Sequence, residues 1–261
     1  MDRARSDRVR RVARVRCHDQ RLAAPSPADL MSGDRSKPDL LLVLLIHQSL
    51  RVDAMRLSAT VDALDQHDRS SLIAGVREFF EQYREQLVVH HTNEDTLFFP
   101  ALAARVGADR MRLSELADQH EQLDDTLQVL GKRLSVLADR EGNFDAERMD
   151  ASKFASELVD QLGAHLTLEE ETALPLLESE MSVADYKGLE TKARKATSRR
   201  QAQFMIPWVI AHATPEQQTA LLRSAPPMRL VNRLSRARYR RVDQALVPAA
   251  ESSRINKCGP E

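Results

Sequence analysis

From Pro38 to Leu177 the apolar residues of this chain recur every three to four positions, the period of amphipathic helices. Breaks in the pattern divide the stretch into four long segments, and each predicts a helix. The first covers about 39–66 and the second about 70–106. The third continues from the break at Gly107 through MRLSELADQHEQLDDTLQVLGKRLSVLADR, and the fourth covers about 146–177, after the turn EGNFDAE. Four helices joined by short turns pack most simply as an antiparallel up-down bundle, so the expected class is all-α with that bundle over 39–180.

Beyond residue 180 the pattern changes. Between Lys187 and Arg241 there are thirteen Lys or Arg against two acids, and Pro207, Pro215, Pro226 and Pro227 cut the segment into shorter pieces. Thr214, Pro215 and Glu216 give a helix start with a capping residue, a first-turn proline and an early acid. The expectation is a basic helical extension over 181–247, with FMIPWVI and its Trp208 docked on the bundle and arginine stems lying over bundle surface. In its last helix Leu230, Leu234 and Ala237 form an apolar stripe under the arginines, which is expected to dock on the acidic bundle, with an anionic surface or nucleic acid as the alternative. A protein partner is the surface this extension suggests; neither it nor the N-terminal segment carries a nucleic-acid-binding motif.

Composition narrows the class. Hydrophobic residues at 42% and charged residues at 30% are ordinary for a globular chain, while 8 Gly and 4% aromatics beside abundant Leu, Ala, Glu and Arg favour helix. A formal charge of −1 gives no global attraction to nucleic acid or membrane. The longest apolar run, LLLVLLI at 40–46, falls far short of the roughly 20 residues that span a bilayer. It also lacks the cleavage site and position of a signal sequence, so a cytoplasmic protein is expected. The Arg-rich opening, 1–38, reads as a disordered arm, with Met31 as an alternative start, and 248–261 as a flexible tail. Cys17 and Cys258 lie in these tails and imply no disulfide framework.

The candidate chemistry is written twice. HHTNEDTLFFP, 90–100, and HLTLEEETALP, 165–175, share His, three residues, Glu, a second acid, four residues and Pro. Residues i and i+4 stack on one helical face, so His90 with Glu94, and His165 with Glu169, can each grip one object. On antiparallel helices, residues equally far from the connecting turn face each other. By that count His47, His90, His120 and His165 fall within about one helical turn of a single layer, together with Glu94 and Glu169. Imidazoles and carboxylates in one layer of a bundle suit first-row metals, and this set exceeds what one tetrahedral zinc takes. Two six-coordinate irons with bridging carboxylates fit it; manganese or a mixed pair fits the same donors. Asp95, Glu170 and Glu171 are placed on solvated flanks, and His18, His67 and His212 are taken as ordinary histidines. Pro100 and Pro175 each remove a helical hydrogen bond just past the motif.

Together these motifs resemble the hemerythrin-like, HHE cation-binding family over about 39–178. LLIHQSLR resembles the family's opening His with an Arg one turn on, HHTNEDTLFFP its His-x3-Glu-acid pattern, DQHEQLDD its third helix, and HLTLEEETALP its fourth. The resemblance implies a four-helix bundle with a non-haem di-iron centre, in which His47, His90, His120 and His165 hold the irons and Glu94 and Glu169 bridge them. It implies binding of O2, NO or peroxide for sensing, buffering or detoxification. An enzyme that reduces peroxide or NO, and a protein- or nucleic-acid-interaction scaffold with a structural metal, stand as alternatives. Asp124 occupies the place of a second third-helix His in the oxygen carriers, so either Asp124 ligates or one iron is more open. His91 is a further candidate, because some family members use an acid there.

Overall fold

The computed structural model describes residues 36–68, 70–139 and 142–247. The Arg-rich segment up to residue 35, with Cys17, His18 and Met31, and the segment 248–261, with Cys258, lie outside the described residues. Among the described residues all regular structure is helical, and no helix is long and apolar enough to cross a membrane.

Helix α1 is Leu41–Asp62, started by Asp39, whose carboxylate accepts the Leu41 amide at 3.0 Å. Helix α2, Ser70–Asn93, runs into a π turn, Glu94–Phe98, and then α3, Phe99–Val106. Gly107 ends α3 with φ +85°, a conformation open to glycine. The third segment does not continue directly from that glycine as expected. A short 3-10 turn, Asp109–Met111, and Arg112 in the left-handed region intervene before α4, Leu113–Asp139. Asn143 caps α5, Phe144–Glu180, by accepting the Ala146 amide, and Asp145 and Glu147 sit favourably in its first turn.

Side-chain contacts fix how these helices run. Helix α1 meets α5 through His47–Glu169 and again through Asp62–Ser152. It meets α2 through the His47–His90 rings and through Tyr83, which donates to the Leu50 carbonyl. Helix α2 and the π turn meet α4 through Arg77–Asp139 and Asp95–His120, and α4 meets α5 through Arg133–Glu147 and Gln119–His165. In every pair the contacts run in opposite order along the two segments.

Leucines and aromatics on the inward faces bury two apolar clusters. The larger includes Leu50, Leu57, Phe79, Phe80, Leu127 and Leu158; the smaller includes Phe99, Leu102, Met111, Leu116 and Leu174. Burying each such side chain contributes about 1.5–3 kcal/mol. The duplicated motifs fall between the clusters along each helix, so a polar layer separates two dry ones.

The basic segment forms α6, Val183–Ala196, α7, Arg199–His212, α8, Pro215–Ser224, and α9, Pro227–Asp243. Phe204, Trp208 and Ile210 join the larger cluster, with Trp208 against the Tyr83 ring at 6.4 Å. Beneath them Asp53 accepts from Trp208 Nε1 at 2.7 Å and lies 3.0 Å from His212 Nε2 and 2.7 Å from Arg56 Nη1. Arg56 also donates to Asp243 and to the Val247 carbonyl, so one buried network ties α1 to α7 and α9.

The docking face of α9 differs from the expected one. Ser235, Tyr239 and Val242 turn inward, drawn by packing on Phe204 and by the Tyr239 hydroxyl on Asp243. Leu230, Leu234 and Ala237 face solvent instead. Arg229, Arg233, Arg236, Arg238, Arg240 and Arg241 are exposed beside them and make no ion pair among the described residues.

Candidate metal centre

Helix α2 brings His90 and His91 to the polar layer and the π turn brings Glu94, while α1 brings His47, α4 His120, and α5 His165 and Glu169. All seven are buried. They form two groups whose possible ligand atoms lie within 4.8 Å of one another: His47, His90, Glu94 and Glu169, and His91, Glu94, His120 and His165. Glu94 belongs to both. Glu169 belongs to the first only, with Oε2 3.4 Å from His47 Nε2 and 4.0 Å from His90 Nε2. In the first group His90 Nε2 lies 3.1 Å from Glu94 Oε1, and in the second His120 Nε2 lies 3.6 Å from Glu94 Oε2.

The orientation of three imidazoles follows from what stands behind them. His47 Nδ1 lies 2.9 Å from Glu170 Oε1, His120 Nδ1 lies 3.1 Å from Asp95 Oδ1, and His165 Nδ1 lies 3.2 Å from Gln119 Oε1. These oxygens accept, so each ring carries its proton on Nδ1 and turns the Nε2 lone pair inward. Nε2 of His47, His90, His91, His120 and His165 and Oε2 of Glu94 and Glu169 are buried with no hydrogen-bond partner among the described residues. Unpartnered buried acceptors cost about 1–3 kcal/mol each, and a cation would satisfy several at once. The donor set therefore fits two cations.

Charge follows the same logic. Burial, then the neighbouring imidazoles, holds His90 and His91 well below the usual histidine range, and His165 is lowered to about 3 by burial and by His120. These rings are neutral, as ligands must be. Burial and the adjacent Glu169 carboxylate push Glu94 well above the usual carboxylate range. Burial also raises Glu170, but hydrogen bonds from His47 and Arg51 outweigh it and leave that carboxyl lowered.

His47, His90, His120, His165, Glu94 and Glu169 are thus brought together. Asp124 is not. It is exposed on α4, outside both groups, and the position beside His120 and His165 is filled by His91, whose ring stacks on His120 at 3.9 Å. Glu170 is a correction, since it is only partly exposed and backs His47, whereas Asp95 is exposed as expected and backs His120 as well. The signal for them was their place directly after Glu169 and Glu94, about 100° round the helix toward the next one. Arg51, one turn after His47, holds Glu170 with two guanidinium nitrogens at 2.6 and 3.1 Å. Glu171 and His67 are exposed, and His212 is hydrogen-bonded to Asp53 in the extension.

The π turn starts on Glu94 itself: the Phe99 amide reaches back to the Glu94 carbonyl, five residues away. The extra residue makes room for Pro100, which has no amide hydrogen and crowds the carbonyl of the preceding turn. Pro175 instead lies inside α5, which continues to Glu180.

A family model for the hemerythrin HHE cation-binding domain matches residues 42–177. An uncharacterised protein of Haemophilus influenzae is 24% identical over 159 residues, covering 60% of this chain and 87% of that protein. No solved structure matches. With more than half its length matched, and the matched part carrying both His/Glu groups, the chain belongs to the hemerythrin HHE cation-binding family.

Proposed function

We propose that the helices α1, α2 with α3, α4 and α5 are an antiparallel up-down four-helix bundle built to hold two non-haem irons. The pair binds O2 or a related small ligand, NO or peroxide, for sensing, buffering or detoxification. His47, His90 and Glu169 would hold one ion and His91, His120 and His165 the other, with Glu94 shared between them. The observation that carries this reading is that one buried carboxylate, Glu94, belongs to two groups of unpartnered imidazole nitrogens.

Iron bound there supplies redox chemistry and affinity for small diatomic or peroxidic ligands. Each group offers four ligand atoms, fewer than the six of an octahedral ion, which leaves positions for such a ligand. The protein's own residues hold His90, His91 and His165 neutral, orient His47, His120 and His165 from behind and keep bulk water out. Protein purified from iron-replete cells is expected to contain two irons per chain and to develop near-ultraviolet bands on oxidation. The bands are lost in His90→Ala. Stoichiometric ligand binding without turnover of peroxide or NO supports a binding protein, and sustained turnover with a reductant supports the enzyme instead.

A further inference from the structure

The outer partners of the histidines are not equivalent. Behind His47 stands Glu170, whose charge is matched by Arg51 through two hydrogen bonds. Behind His120 stands Asp95, half-exposed, with both oxygens within 3.2 Å of Nδ1 and no Lys or Arg ion pair among the described residues. Behind His165 stands Gln119, which is neutral. A carboxylate that accepts the outer N–H of a ligand imidazole makes the inner nitrogen a better donor. A guanidinium already sharing that carboxylate weakens the effect, because the same lone pairs serve two donors and the local charge is cancelled. Water around Asp95 screens its long-range field, but the direct hydrogen bond to His120 remains.

Resting on the reading of the two groups as metal positions, we infer that these positions are unequal. Asp95 is a positioning residue that makes His91–His120–His165 the tighter position for a divalent cation, while Arg51 keeps Glu170 from doing the same at His47. The ligand sets differ as well, three imidazoles with Glu94 against two with Glu94 and Glu169, and Asp95 adds a difference from outside them, so stepwise filling is expected.

The test is titration of the metal-free full chain with Co(II), followed by equilibrium dialysis and visible spectra, which report ligand geometry as well as occupancy. The wild-type chain is expected to take up two ions in two steps, and His91→Ala identifies the tighter step by weakening it. Asp95→Asn, isosteric and partly exposed, is expected to weaken that same step about 10–100-fold and leave the other in place. Arg51→Met frees Glu170 and is expected to tighten the second step. Asp124→Asn removes a charge from the same surface without touching a histidine, and is expected to move neither step.

Equal weakening of both steps by Asp95→Asn, or no change in either, overturns the inference. So does a loosened second step in Arg51→Met. A wild-type chain that takes up fewer than two cobalt ions overturns the two-metal reading itself, whatever the variants do.

Discussion

Asp53→Ala is expected to lower stability by about 3–5 kcal/mol, the cost of removing one partner from a buried, hydrogen-bonded ion pair. Asp53 is fully buried and is the common acceptor for Trp208, His212 and Arg56. Its loss leaves a buried guanidinium short of one carboxylate and an indole N–H with no acceptor. For a domain of this size the shift corresponds to a fall in Tm of roughly 6–20 °C. The α7–α9 segment should loosen first, and hydrogen exchange in 199–243 reports that directly.

The sign with pH is also fixed. Burial raises Asp53, but the hydrogen bond and charge of His212, then Arg56, outweigh it and hold the carboxyl below its reference value of 3.8. A depressed acid stabilises the fold above its unfolded pKa and loses that contribution as pH falls. The gap between wild type and Asp53→Ala should therefore be full at neutral pH and close below about pH 3.8. A gap that persists unchanged in acid would mean the carboxylate charge is not what holds the extension.

The second large effect is that of metal on stability. In the metal-free protein His90, His91 and His165 are held below the imidazole reference of 6.5, so the unfolded chain takes up protons that the folded chain refuses. Stability is then lost as pH falls from about 6.5 toward 3, His165 itself titrating at about 3. Glu94 acts in the other sense. Raised above 4.5, it keeps a proton that the unfolded chain has released, so its contribution is lost as pH rises. Three histidines against one carboxyl make acid the side on which the metal-free Tm falls more steeply.

A bound cation needs Glu94 ionised and the imidazoles neutral, so the gain from loading should grow as pH rises from 5. At free metal about 1,000-fold above Kd the gain is about 4 kcal/mol, or roughly 8–16 °C in Tm. Thermal melts of metal-free and metal-loaded protein across pH 5–9 check both statements. Identical melts with and without metal would count against a cation in this layer.

How much of this was legible in the sequence depended on whether the signal was local. The helical class and the convergence of His47, His90, His120, His165, Glu94 and Glu169 follow from periodicity, from a spacing written twice and from distances to turns. All of these are one-dimensional. The role of His91 is not, because His90 and His91 point about 100° apart and each meets a different neighbour, so only the packed helices show that one faces His47 and the other His120. Asp124 occupied the matching place in the pattern, yet the α4 face it belongs to is exposed. The α9 face was misread for a related reason. Leu230 and Leu234 are the more apolar residues, but Tyr239 and Val242 lie toward the Asp53 network and Phe204.

The most direct test of the central claim, that one carboxylate serves two ions, is elemental analysis of matched variants purified side by side. Wild type is expected to hold two metal ions per chain, His47→Ala one, and Glu94→Ala none, each with unchanged helical circular dichroism. A folded Glu94→Ala protein that still holds two ions would contradict the account.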